Sequence, residues 1–205
     1  YLSLFSGIEA ASAAWHPLGW EPVGFAEIEP FPSAVLKHRF PNTPNYGDIT
    51  KWKEWNLTPG SVDIVCAGSP CQAFSVAGLR KGLDDPRGNL ALVTLGLVEH
   101  LQPKWFLWEN VPGVLTSNGG RDFAALITAL GNIGYGWAYR VLDAQHFGVP
   151  QRRRRVWLVA TRGASNWPLA AAVLFDSESL RWNPQKGIKA RKRVAGSPAS
   201  SAGGV

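Results

Sequence analysis

Short apolar runs alternate with helix-forming stretches from Tyr1 to Arg162, and that alternation leaves few folds open. "YLSLF" (1–5) is strand-like and breaks at Ser6-Gly7; "IEAASAAW" is rich in helix formers and stops at Pro17-Leu18-Gly19. "EPVGFAEIE" reads as a second strand, and "PSAVLKHRF" as a helix with Pro32 near its first turn. "YGDIT" (46–50) is a strand end or a turn, and "SVDIVCAG" (61–68) is a β-branched run of the kind buried in a parallel sheet. "GNLALVTLGLVEHL" is helical, "KWFLWEN" is a further buried strand, and "GGRDFAALITALGNIGY" is a helix ending near Gly134. "GWAYRVLDA" and "RRVWLVATR" are strands joined without a helix, so that pair is antiparallel. The order predicts an α/β fold: a doubly wound, mostly parallel sheet with right-handed crossovers and an antiparallel strand near the end.

With 205 residues and 45% hydrophobic content, the chain can build one sizeable core. The regular pattern fades after about Gly163, and "SPASSAGGV" has the composition of a disordered segment. No stretch is long and apolar enough to cross a bilayer, and the start does not resemble a secretory signal. Cys66 and Cys71 stand too close together for a disulfide framework, which favours a reducing, cytoplasmic setting. A chain that holds no methionine and begins at Tyr1 reads as one lacking its natural start. Residues 1–150 hold 10 Lys/Arg against 13 Asp/Glu, whereas residues 151–205 hold 11 against 2. That asymmetry suggests a basic end facing a polyanion. For "KGIKARKR" alone, a solvated tail is an equal reading.

In open α/β sheets, ligands sit beyond the carboxyl ends of the strands. Those ends carry Phe5-Ser6-Gly7, Glu27, Asp48, Pro70-Cys71 and Glu109-Asn110. Gly7 lets the backbone approach a ligand, Glu27 is placed to pair with ribose hydroxyls, and Asp48 to accept from an adenine amine. Singly, each is also an ordinary turn glycine or capping acid. Gly7 is followed by Ile8-Glu9-Ala10, with Glu9 where a G-x-G-x-x-G fingerprint needs its second glycine, which disfavours a flavin or nicotinamide oxidoreductase. Cys66 reads as a small buried hydrophobe, while Cys71 sits past the strand end on a long, polar loop of the active-site type. Four successive arginines in "QRRRR" put charge on both faces of a strand, which is costly unless an anion is met there. Arg80 and Lys81 are placed to meet phosphates, although a solvated surface loop is the slightly favoured reading.

The order of the pieces is more specific than any one of them. Phe5-Ser6-Gly7, Glu27-Ile28-Glu29-Pro30, Gly47-Asp48-Ile49, Gly68-Ser69-Pro70-Cys71-Gln72, Arg87-Gly88-Asn89-Leu90, Glu109-Asn110-Val111 and Gln151-Arg152-Arg153-Arg154-Arg155 follow one another along the chain. In order and spacing, over about residues 1–161, they resemble the C5-cytosine DNA methyltransferase family. The resemblance implies a Rossmann-like, S-adenosylmethionine-dependent fold. It further implies S-adenosylmethionine as co-substrate, no metal, double-stranded DNA as partner, and a bacterial or phage setting of the restriction-modification kind. By the same resemblance Phe5, Gly7 and Ile8 line the cofactor pocket, Glu27 holds the ribose and Asp48 contacts the adenine. Ile28 and Ile49 flank the adenine ring, Leu90 closes the pocket and Pro70 shapes the loop. Cys71 is the nucleophile, Glu109 grips the target base, and Arg153 and Arg155 contact the cytosine and nearby backbone.

The chemistry suits these residue types. Carbon 5 of cytosine is a poor nucleophile; a thiolate adding at carbon 6 makes the ring enamine-like and able to attack a sulfonium methyl. A carboxyl group at ring nitrogen 3 shares or donates a proton, which fits Glu109. The target must be flipped out of the duplex, at a cost of roughly a few kcal/mol, and Gln72 to Arg87 is a candidate lid. The resemblance also marks departures. The glycine cluster after Gly7 is incomplete, and neither a recognition region nor closing motifs follow Gly163. The division is therefore an S-adenosylmethionine-binding catalytic domain at 1–163, then a basic, low-complexity tail or the start of a missing recognition region at 164–205. A second polypeptide or a missing C-terminal segment would supply target recognition. The alternatives are RNA cytosine-5 methylation, or a truncated, catalytically silent nucleic-acid-binding remnant.

Overall fold

The structure, a computed structural model, describes residues 1–70 and 90–175. Cys71, the Gln72–Arg87 loop read as a lid, and the "KGIKARKR" stretch lie outside the described residues. Among the described residues one sheet holds β1 (Leu2–Leu4), β2 (Gly24–Ala26), β3 (Ile64–Ala67), β4 (Trp105–Asn110), β5 (Tyr135–Asp143) and β6 (Arg154–Arg162). Their order is β2-β1-β3-β4-β6-β5. The first four run parallel, and β6 is antiparallel to both neighbours. This is the mostly parallel α/β sheet, with its reversed strand near the end, that the alternation predicts.

The helices are α1 (Ala11–Trp15), α2 (Pro30–Arg39), α3 (Leu90–Leu101), α4 (Arg121–Asn132) and α5 (Trp167–Leu174). Pro30 opens α2 because its fixed φ suits a helix start. In α4 the buried residues Phe123, Leu126, Ala129 and Leu130 recur at helical spacing, and Asp122 sits in the first turn. In α3 every residue from Ala91 to Val98 is buried, so that stretch packs inside the domain, and the helix reaches solvent at Glu99 and His100.

Strand alternation sorts the sheet into two faces. Leu2, Val65, Phe106, Trp108 and Leu158 point into the main core with α3 and α4. On the opposite face Leu107, Trp157 and Val159 meet Ala170 and Leu174 of α5. The sequence pattern fades at Gly163, but regular structure does not: α5 is fixed by contacts far along the chain. Arg140 Nη1 donates to the Leu174 carbonyl at 2.8 Å. The apolar, uncharged run of α5 shows no clear polar face, which is why periodicity alone missed it.

"YGDIT" resolves as a turn. Only the preceding Asn45 bridges to β2, through Phe25. Gly47 then takes a left-handed backbone, φ 75°, and Asp48 Oδ1 accepts from Thr50 N at 2.9 Å to cap a 3-10 turn over Ile49–Glu54.

Gly136 of β5 is where α5 comes closest to the sheet. A Cβ there would lie 2.5 Å from Trp167 N and 2.7 Å from the Ala164 carbonyl oxygen, both backbone atoms. Gly136→Ala is therefore expected to cost about 1–3 kcal/mol, a fall in Tm of roughly 3–10 °C on a chain of this size. Gly131→Ala in α4, with nothing within 4 Å of the added methyl, leaves Tm unchanged or raises it.

Candidate active site

The turn after β1 is tight. Phe5, Gly7 and Glu9 all hold left-handed backbones, with φ of 54°, 56° and 66°. Ser6 Oγ donates to the Ser3 carbonyl at 2.8 Å and accepts from Ala26 N at 3.3 Å, tying the turn to β1 and β2. Glu27 spans the two strand ends: Oε2 accepts from Gly7 N and Oε1 from Glu29 N, each at 2.8 Å. Asn45 in turn holds Glu27. Its Oδ1 accepts from Glu27 N at 3.0 Å and Gly47 N at 3.2 Å, and its Nδ2 donates to the Glu27 carbonyl at 3.0 Å. Sequence reasoning missed Asn45; the signal was an asparagine two residues before a turn glycine.

Glu109 ends β4 on the face shared by Leu107, directly opposite Trp157 of β6. Counting back along β6 in steps of two from Trp157 gives Arg155 and then Arg153, on the same side of the strand. Arg155 Nε lies 2.8 Å and Arg153 Nη2 3.4 Å from the same oxygen, Glu109 Oε1. Two of the four arginines thus meet an anion inside the protein. Asp143, also unanticipated, sets the entry to this row: its Oδ1 accepts from Arg153 N at 3.1 Å. The other oxygen of Glu109 faces the exit of β3, since a Cβ on Gly68 would lie 3.5 Å from Oε2.

That exit is fastened to β4 on both sides of Glu109. Trp108 Nε1 donates to Ser69 Oγ at 2.9 Å, and Asn110 Nδ2 donates to the Ser69 carbonyl at 3.0 Å. Pro70 ends this described run, and Cys71 is the next residue in the chain. Cys66, within β3, is a different kind of cysteine. Burial pushes its thiol up to about 12, so it stays protonated and unreactive near neutral pH.

A cleft of about 630 Å³ opens between the β1 turn with α1 and the ends of β3, β4 and β6. Phe5, Glu9, Gly68, Glu109, Arg153 and Trp157 are among its walls, and the last two with Glu109 also line an adjoining cavity of about 300 Å³ beside Arg155. Gly7 and Glu27 are hydrogen-bonded to each other next to the Phe5-Ser6 turn but are not among those walls. Ile8 and Ile28 are solvent-exposed, at 53% and 67%, and are not among those walls either. Asp48 caps its own turn, Ile49 is 4% exposed within the main core, and Leu90 begins α3 against that core. None of these last three lines the cleft. No group of three metal-capable side chains exists among the described residues, and no helix among them is long and apolar enough to cross a membrane.

Ser69→Ala would leave the buried Trp108 Nε1 without an acceptor. It is expected to cost about 1–3 kcal/mol of unfolding free energy in a denaturant titration, whereas the exposed Thr58→Ala should cost less than about 0.5 kcal/mol.

The family described as C-5 cytosine-specific DNA methylase matches residues 1–197. A protein of Escherichia phage P1 named "DNA N-6-adenine-methyltransferase" is 42% identical over 89% of this chain and 31% of its own length. "Type II methyltransferase M2.BsuMI" of Bacillus subtilis is 40% identical over 78% of this chain and 41% of its own. A solved DNMT2 of Spodoptera frugiperda is similar in fold, with TM-score 0.60 and 29% identity, over 82% of this chain and 51% of that one. The chain thus spans about a third to two fifths of these two curated relatives. On a match that runs through nearly all of its length, the chain belongs to the C-5 cytosine-specific DNA methylase family.

Proposed function

We propose that the chain transfers a methyl group from S-adenosylmethionine to carbon 5 of a cytosine flipped out of double-stranded DNA, with Cys71 as the transient nucleophile. The observation that carries this reading is the meeting of Glu109, Arg153 and Arg155 beside the exit of β3, where the chain enters Pro70-Cys71.

The residues of the cleft fit the co-substrate. The volume of about 630 Å³ falls in the range of small-molecule sites, roughly 300–1,000 Å³. Glu27, already oriented by two backbone N–H groups, keeps lone pairs for ribose hydroxyls. Phe5 lines the cleft and would shape the pocket with Gly7 and Ile8 of the same turn; Asp48 toward the adenine and Leu90 as a closing residue would have to act from outside these walls, and Pro70 would direct the loop. We assign the apolar contact on the adenine ring to exposed Ile28 before buried Ile49. When bound, S-adenosylmethionine supplies an electrophilic methyl on a sulfonium.

The chain's own residues do the rest. The Cys71 thiolate bonds to carbon 6, and the pair released from the ring double bond moves to carbon 5 and nitrogen 3. Glu109 holds or donates the proton at nitrogen 3, while Arg155 and Arg153 fix its carboxyl. Carbon 5 takes the methyl with release of S-adenosylhomocysteine; a base then removes the carbon 5 proton, the double bond re-forms and the thiolate leaves. The printed name of the phage P1 relative raises adenine as a target. An exocyclic amine is itself a nucleophile and needs no thiol addition, so a Pro70-Cys71-Gln72 sequence following Ser69, which Trp108 and Asn110 hold, favours cytosine. Phage and bacterial relatives favour a cytoplasmic setting.

Duplex DNA carrying 5-fluorocytosine tests the reading. With S-adenosylmethionine it should yield a denaturant-stable adduct with the chain, retained by Cys66→Ser and abolished by Cys71→Ser. An adduct that survives Cys71→Ser, or none at all, overturns the reading. Capture of RNA but not DNA would transfer it to RNA.

A further inference from the structure

Two unfavourable features fall on one residue of the cleft wall. Glu9 holds a left-handed backbone, φ 66°, which strains any residue with a side chain. It is also only 1% exposed, yet its carboxyl is half satisfied. Oε1 accepts from Ser12 N at 3.0 Å and from the hydroxyls of Ser12 and Tyr1, each at 3.4 Å. Oε2 is buried and makes no hydrogen bond among the described residues.

Oε1 serves the fold by accepting from Ser12 N at the start of α1, but Oε2 serves no such contact among the described residues. Gly7 already supplies a turn residue without a side chain, and glycine at position 9 would carry neither burden. A buried acceptor left open beside a cavity is a place for a donor that arrives with a ligand. The neighbours leave room, because Ala10, Ala11 and Ala14 form the same wall with small side chains. At the far end of the cleft the other carboxyl, Glu109, is already paired with Arg155 and Arg153. Glu9 is therefore the acid at the α1 end that has an oxygen to offer.

We propose that Glu9 Oε2 accepts a hydrogen bond from the α-ammonium of the methyl donor, making Glu9 a cofactor-binding residue that reads the amino-acid end of the molecule. This rests on the S-adenosylmethionine reading above. Ser12 and Tyr1 hold the carboxyl by Oε1 so that Oε2 is presented in one place.

The test is calorimetric titration of the full chain with S-adenosylhomocysteine, with its analogue lacking the α-amino group, and with 5′-methylthioadenosine, which lacks the whole amino-acid part. The wild type should bind S-adenosylhomocysteine about tenfold or more tightly than the deaminated analogue, as expected of a charge-assisted hydrogen bond. Glu9→Gln should erase most of that preference and leave 5′-methylthioadenosine within about twofold of the wild type. A wild-type preference below about threefold overturns the proposal without any variant. Equal weakening of all three ligands by Glu9→Gln also overturns it, leaving a turn support only. If the wild type binds neither S-adenosylhomocysteine nor 5′-methylthioadenosine, the cofactor reading itself fails and this proposal with it.

Discussion

The contact between Arg155 Nε and Glu109 Oε1, at 2.8 Å, depends on how the sheet is strung, and the candidate site depends on the contact. Glu109 and Arg155 are far apart in sequence. They meet because β6 runs backwards between β4 and β5, so the start of β6 lies beside the end of β4. A parallel strand in that position would deliver Arg162 to Glu109's edge of the sheet and carry the arginine row to the other. The reversed strand is thus what places two guanidinium groups on one carboxyl oxygen. It leaves the second oxygen toward Gly68.

A loop that carries chemistry needs a rigid support on at least one side. Here the support is β4 itself, since Trp108 and Asn110 hold Ser69 from either side of Glu109. The carboxyl and the start of the Pro70-Cys71 segment are therefore positioned by the same strand. Cys66 lies within β3, where burial keeps its thiol protonated. Cys71 lies two residues along the chain from Ser69, where the fastening to β4 is made.

Much of this was legible in the sequence because the signals were local. β-branched runs, glycine turns and proline at the start of α2 placed strands and helices within a few residues. The residues at the strand ends were named from order alone. What sequence concealed is tertiary. Asn45 and Asp143 look like ordinary turn residues, and only the folded chain shows Asn45 bracing Glu27 and Asp143 bracing Arg153. Ile49 looks like a neighbour of a ligand because Asp48 does, yet it turns into the core. The helix α5 lacks periodicity, and its position follows from Gly136 and Arg140 on a strand about thirty residues earlier. The four arginines looked like a row facing an external anion, but two of them turn inward to Glu109.

The most direct test of the central contact is a double-mutant cycle of Glu109→Gln and Arg155→Ala, read as the rate of adduct formation with 5-fluorocytosine DNA. If the guanidinium acts by holding the carboxyl, the two losses overlap, with a coupling energy of at least about 1 kcal/mol. Losses that add to within about 0.5 kcal/mol would show that the two side chains act separately, contrary to this account.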